Sequence, residues 1–183
     1  MNKLQEKFQK EVSLELMKKL SIVNLMAVPK LSKIMVNMGV KDALSDKKNI
    51  EKGALVLAQI TGQKAKVTAA KKAIAGFKLR EGDKIGLVVT LRGKRMYDFF
   101  EKLVVVVLPR LKDFHGVLRE SFDRKGNYSL GFSEFTVFPE IDSGKIDKIQ
   151  GLEVTIVTTA KDDKEGMALL EALGMPFQKG LKD

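Results

Sequence analysis

Over the first twenty residues the apolar positions Leu4, Phe8, Val12, Leu16 and Leu20 recur every four residues, with lysines and glutamates between them. That spacing predicts an amphipathic helix over 2–20, because residues four apart share one helix face. Val28-Pro29 ends whatever follows, since the residue before a proline is pushed out of the helical region. The period then drops to two. In "SKIMVNMGV" (32–40) Ile34, Val36, Met38 and Val40 face one side, and Lys33, Met35, Asn37 and Gly39 the other. This predicts a strand with a core face and a partly polar face. Helical spacing returns over 46–60 (Ile50, Ala54, Leu57, Ala58), with Gly62 placed to cap it. A short strand is expected at 66–69. "KIGLVVTLRG" (84–93) alternates again, with Ile85, Leu87, Val89 and Leu91 opposite Gly86, Val88, Thr90 and Arg92. Residues 94–107 read as a helix ended by Pro109, although the valine run weakens its pattern. "GNYSLGF" reads as a strand or turn and "GLEVTIVTT" (151–159) as a strand. "DDKEGMALLEALG" (162–174) reads as a closing helix, with Asp162 as N-cap and Gly174 just past the end.

Strands and helices are interspersed, and several connections are too short for parallel crossovers. The fold class expected is therefore α+β, a mainly antiparallel sheet with helices packed on one face. The opposite face would carry Asn37, Thr90, Arg92 and Thr155. A chain of 183 residues buries roughly 70% of its unfolded surface, enough for an independent core, and is expected to form one domain over 1–183.

Charge changes the picture. Residues 1–133 hold 27 Lys/Arg against 13 Asp/Glu, whereas residues 134–183 hold 6 against 10. The densest stretch is 64–84, "KAKVTAAKKAIAGFKLREGDK", with seven cations and two acids. Such clustering points to a polyanionic partner on one part of the surface. Small residues alternate with its cations, so backbone can approach phosphates, and Phe77 can stack or wedge in a groove. Residues 70–83 show no core-facing periodicity. They are expected to protrude as a basic loop that is mobile without RNA, since little apolar burial offsets the cost of ordering it. An ordinary solvated hairpin is the competing reading of this segment.

Catalytic chemistry has little to work with. Cysteine is absent, which removes disulfides, thiolate nucleophiles and cysteine-ligated zinc, and fits a reducing cytosol. The one histidine, His115, has no partner at metal spacing and reads as a surface or packing residue. Neither a phosphate-loop nor a dinucleotide fingerprint occurs. No metal, cofactor or catalytic residue is expected. The longest apolar run, "LVVVVLP" (103–109), is too short to span a bilayer, which takes about 20 residues, and no membrane partner is expected.

Several segments are recognisable together. "ITGQKAKVTAAKKAIAGFKLREGDKIG", "TLRGKRMYDFFEKL", "LPRLKDFHG", "GNYSLGF", "FPEID" and "VTIVTTAKDDKEGMALLEALGMPF" resemble, in this order, the bacterial large-subunit ribosomal protein five family. The resemblance runs through essentially the whole chain. It implies a non-enzymatic, cytoplasmic ribosomal protein that binds 5S rRNA in the central protuberance and helps attach it to 23S rRNA. It also implies contact with P-site tRNA, with small-subunit ribosomal protein thirteen at an intersubunit bridge, and with neighbouring central-protuberance proteins.

Carried over residue by residue, the resemblance puts Asn37, Gln63, Lys66, Thr68, Thr90 and Arg92 towards 5S rRNA. It puts Lys71, Lys72, Phe77, Lys78 and Arg80 on the loop towards tRNA or rRNA. The acidic C-terminal part should face away from rRNA or meet a basic protein, with Glu134, Glu140, Asp142 and Asp147 as bridge candidates. Three positions depart from the family. Ala65 stands where proline is usual, Ala70 where a basic residue is usual, and His115 where arginine is usual. Two alternatives stay open on the residues alone: a free RNA-binding regulator or chaperone with a related sheet, and, more distantly, an enzyme acting on a polyanion.

Overall fold

The computed structural model describes residues 3–44, 46–142 and 150–178. Five strands form one sheet: β1 (Leu31–Gly39), β2 (Lys66–Ala69), β3 (Lys84–Leu91), β4 (Tyr128–Phe132) and β5 (Leu152–Thr158), in the order β2-β3-β1-β5-β4. The α+β reading, with a mainly antiparallel sheet, therefore holds. Two compact units divide the chain. The first comprises Met1–Ile34, Leu91–Leu130 and Thr155–Asp183, and the second Met35–Thr90 and Gly131–Val154.

In the first unit the N-terminal helix is α-helical over Lys3–Lys7 (α1), widens to a π turn over Phe8–Val12, and resumes as α2 over Ser13–Lys19. Its apolar residues explain the wide turn. On a regular helix each four-residue step overshoots by roughly 40°, so four steps would carry the apolar row round to the far side. One wide turn corrects the drift. Val12 and Leu16 are buried, and Leu4, Phe8 and Leu20 are half-buried. The Ser13 hydroxyl donates to the carbonyl of Gln9 at 3.1 Å within it.

Helix α4 (Gly93–Lys102) also passes into a π turn, Leu103–Val107. This is the valine run whose helical pattern was weak. Leu103 and Val107 go inward while Val105 and Val106 stay exposed. Pro109 lies within a 3-10 turn, Leu108–Arg110, rather than after the last turn. Helix α5 (Asp163–Ala172) begins where Asp162 accepts the N–H of Glu165 at 2.8 Å, as its N-cap role requires.

A tight polar turn, residues 123–127, completes this unit. Asp123 accepts from the N–H groups of Lys125 and Asn127 and from Asn127 Nδ2, the last at 2.7 Å. Asn127 Oδ1 accepts the N–H of Thr158, Asp163 accepts the N–H of Gly126, and the Thr158 hydroxyl donates to the Gly126 carbonyl. Burial works against the Asp123 charge, but these hydrogen bonds outweigh it and hold its carboxyl below the usual value. A Cβ at Gly166 would lie 2.6 Å from the Gly126 carbonyl oxygen, so two glycines let the helix start and the turn meet backbone to backbone.

In the second unit α3 (Lys48–Thr61) ends at Gly62, whose φ of +66° lets its N–H reach the carbonyl of Ala58. A Cβ at Gly53 would sit 2.9 Å from Leu87 Cδ1 and 3.5 Å from Met38 Sδ. Helix α3 therefore lies closely on the face of β1 and β3 that buries Val36, Met38, Leu87 and Val89. Among the described residues α3 is the one α-helix of this unit, and it lies on that buried face.

Candidate nucleic-acid interface

The open face follows from strand alternation. Strands β2 and β3 pair antiparallel, with Lys66 opposite Val88, Val67 opposite Leu87 and Thr68 opposite Gly86. Leu87 and Val89 point into the core, so Lys66, Thr68, Gly86, Val88 and Thr90 share the other face. On β1, Val36 and Met38 are buried, which turns Met35 and Asn37 outward, both half-buried. Within this unit Asn37, Lys66, Thr68 and Thr90 are thus brought to one surface.

Gln63 joins them by a strap. Gly62 redirects the chain after α3, and Gln63 Nε2 donates to the Thr90 carbonyl at 3.2 Å. The Thr61 hydroxyl, bonded to the carbonyls of Leu57 and Gln63, fixes the same corner. Arg92 belongs to the first unit. It is exposed and extended (φ −139°), and it serves as N-cap of α4 without a side-chain capping bond. It is not a strand residue, since β3 stops at Leu91.

The polar groups of this face are notable for what they do not bond. The Asn37 amide and the hydroxyls of Thr68 and Thr90 make no hydrogen bond among the described residues, and Lys66 makes no ion pair. Glycine at 86 adds to this. A Cβ there would meet Thr68 Oγ1 at 2.6 Å, so the threonine hydroxyl lies over bare β3 backbone. The sequence reading left Gly86 out of the site. A glycine inside an alternating strand marks close approach of another group, and that signal was available.

Beyond β2 the chain forms the predicted basic loop. Its base closes where Ala70 N–H donates to the Asp83 carbonyl at 2.8 Å and Gly82 N–H donates to the Ala70 carbonyl. Its tip closes between Ile74 and Leu79, N–H to carbonyl in both directions, around a 3-10 turn at Ala75–Phe77. Asp83 also accepts the N–H of Arg80 at 2.8 Å, a bracing role that sequence reasoning missed. Lys71, Lys72, Phe77, Lys78 and Arg80 are all exposed, Phe77 at 70%. No side-chain ion pair engages the four cations among the described residues. Of the departures, Ala65 and Ala70 are buried and His115 is exposed.

Among the acidic candidates, Glu134, Glu140 and Asp142 are exposed, and Glu134 accepts from the Thr136 hydroxyl at 2.9 Å. Asp147 lies outside the described residues. No cluster of three His, Asp or Glu side chains suited to a metal ion occurs among the described residues. None of their helices is long and apolar enough to cross a membrane.

A family profile described as ribosomal protein L5 matches residues 24–80, and one for the C-terminus of the same ribosomal family matches 84–177. The large ribosomal subunit protein uL5 of Streptococcus pyogenes serotype M49 (strain NZ131) is 57% identical over 178 residues, covering 97% of this chain and 99% of the relative. The chain belongs to the ribosomal protein L5 family. Membership carries a structural role in a ribonucleoprotein, within translation, together with rRNA binding. The sheet-face residues lie within the stretches that the two family profiles cover, and so does the basic loop except for Glu81, Gly82 and Asp83, which fall between them.

Proposed function

We propose that this chain is a structural constituent of the large ribosomal subunit, and that it binds 5S rRNA on the open sheet face. One observation carries the reading. The open face presents an amide and two hydroxyls that bond none of the described residues, at Asn37, Thr68 and Thr90, beside a lysine and bare backbone at Gly86. Folded RNA is read by hydrogen bonds to 2′-hydroxyls and base edges across a shallow surface, with cations supplying salt-dependent affinity. The name of the streptococcal relative supports the subunit.

The rest of the reading assigns tasks to the other surfaces. The 1–183 chain works as one RNA-binding domain that helps attach 5S rRNA to 23S rRNA in the central protuberance. The basic loop reaches P-site tRNA through Lys71, Lys72, Phe77, Lys78 and Arg80, ordering fully against RNA. The acidic residues Glu134, Glu140, Asp142 and Asp147 face small-subunit ribosomal protein thirteen at the intersubunit bridge.

A gel shift with isolated 5S rRNA against a transfer RNA tests the central claim. Preferential binding of 5S rRNA, with a log–log salt slope of roughly −3 to −5 for about five phosphate contacts, is expected. Equal binding of the two RNAs overturns it. Replacing Lys71, Lys72, Lys78 and Arg80 by alanine should leave 5S affinity intact and speed P-site tRNA dissociation on reconstituted ribosomes. The reverse pattern would move the loop to the 5S interface.

A further inference from the structure

The connection from α2 to β1 holds its backbone fixed while its apolar side chains stand in solvent. Helix α2 ends in a left-handed residue, Ser21 (φ +53°), with Ile22 N–H donating to the Met17 carbonyl at 3.0 Å and Ser21 N–H to the Lys18 carbonyl at 3.4 Å. This double closure is the pattern that glycine usually supports, and it fixes the direction in which the chain leaves. A 3-10 turn follows at Leu25–Ala27. Asn24 Oδ1 accepts the N–H of Met26 at 2.9 Å, and the Asn24 carbonyl accepts the N–H of Ala27 at 2.9 Å. The far end is held by Lys30, whose N–H donates to Thr159 Oγ1 and whose carbonyl accepts the N–H of Thr159.

On this braced turn Val23 is 96% exposed, Met26 80% and Leu25 46%. Val23 is the most exposed large apolar side chain described. Charge says what kind of surface covers it. From Leu16 to Ile34 the chain has four lysines, Lys18, Lys19, Lys30 and Lys33, and no acid. Lys19 is paired with Glu171 at 3.4 Å, whereas Lys18, Lys30 and Lys33 make no ion pair among the described residues. Apolar side chains in a stretch whose only charged residues are lysines, three of them without an ion pair among the described residues, fit a nucleic acid, whose base faces are apolar and whose phosphates are anionic.

We propose that this turn is a separate rRNA contact, in which Val23 and Met26 pack against an unstacked base or wedge at a base step while Lys18 and Lys30 meet flanking phosphates. It rests on the reading of the chain as a ribosomal RNA-binding protein, and adds an apolar contact to the polar sheet face. Ordering costs little at binding, because the backbone is already held at both ends.

The test uses the full chain in two arms. In the first, a photo-crosslinking amino acid replaces Val23 in assembled large subunits, and the adduct is expected on rRNA. An adduct on a ribosomal protein, or none, overturns the proposal. In the second, 5S and 23S rRNA are each titrated with the wild-type chain and with a Val23→Ser, Met26→Ser variant. Weakening of about ten-fold towards one of the two RNAs, with the salt slope and unfolding midpoint unchanged, is expected. A Lys18→Ala, Lys30→Ala variant should instead flatten the slope towards that RNA by about 1–2. Equal affinity of the serine variant and wild type overturns this contact alone. Failure of the wild-type chain to bind either RNA would overturn the functional reading beneath it.

Discussion

The open sheet face and the turn at residues 123–127 use similar side chains to opposite ends. In the turn, Asp123, Asn127 and Thr158 bond one another and the neighbouring backbone. On the face, Asn37, Thr68 and Thr90 offer comparable groups that bond none of the described residues. A polar side chain that is satisfied internally specifies a conformation. One left accessible and unengaged within the protein is set up to receive another molecule, because binding can satisfy it by displacing water without breaking a bond inside the fold. The comparison teaches that bonding state, rather than residue type, separates architecture from recognition here.

The largest expected effect falls on the turn. Gly166→Ala brings a Cβ within 2.6 Å of the Gly126 carbonyl oxygen, and backbone cannot step aside as a side-chain tip can. A loss of about 2–4 kcal/mol in urea unfolding is expected, with 5S affinity of the folded protein unchanged. Lost binding without lost stability would erase the distinction. Next comes the sheet face. Asn37→Ala with Thr90→Ala should weaken 5S binding by about 2 kcal/mol, roughly thirty-fold, and shift stability by less than about 0.5 kcal/mol. Wild-type affinity in that double variant would remove the sheet from the interface.

Gly86→Ala sharpens the contrast. The obstructing atom is the Thr68 hydroxyl, the end of a side chain that can rotate, so stability should fall by less than about 1 kcal/mol. Binding should fall several-fold as the added methyl covers the bare β3 backbone, as read in the same gel shift. A stability loss as large as that of Gly166→Ala would show that this glycine serves packing instead.

The smallest effect is acid-dependent. Hydrogen bonds hold the Asp123 carboxyl below its ordinary value, so its charge contributes stability above the unfolded value, near pH 4, and the contribution is lost as pH falls through the folded one. Wild type and Asp123→Asn should differ slightly in stability at pH 7, and the difference should shrink as pH falls through the folded value of the Asp123 carboxyl. A difference constant with pH would place the bonding energy outside the charge.

Much of this was legible in the sequence because period is a local property. Alternation in "SKIMVNMGV" and "KIGLVVTLRG" put Asn37 and Thr90 on the side away from the core, and the structure keeps them there. Lys66–Ala69 and the caps at Asp162 and Gly62 were likewise readable from short-range chemistry. What escaped depends on contacts between distant residues. The Gln63 strap needs Thr90, 27 residues on. The exposure of Val23 and Met26 could not be read, since an isolated apolar residue looks the same in sequence whether its side chain is covered or bare. The wide turns of both long helices left only a trace, a four-residue repeat in one and a valine run in the other.

The way the basic loop is closed sets its reach. Backbone bonds between Ala70 and the Gly82–Asp83 pair clamp the two legs together at the base. What lies outside the clamp is therefore a short arm of set contour, five or six residues out and as many back, extending at most about 20 Å from the sheet edge. An arm of that kind behaves as a ruler. Inserting or deleting matched residues on both legs would lengthen or shorten that reach by at most about 3.3 Å per pair without reopening the fold. The distance from the sheet at which its cations act could then be dialled against a partner held at a set spacing.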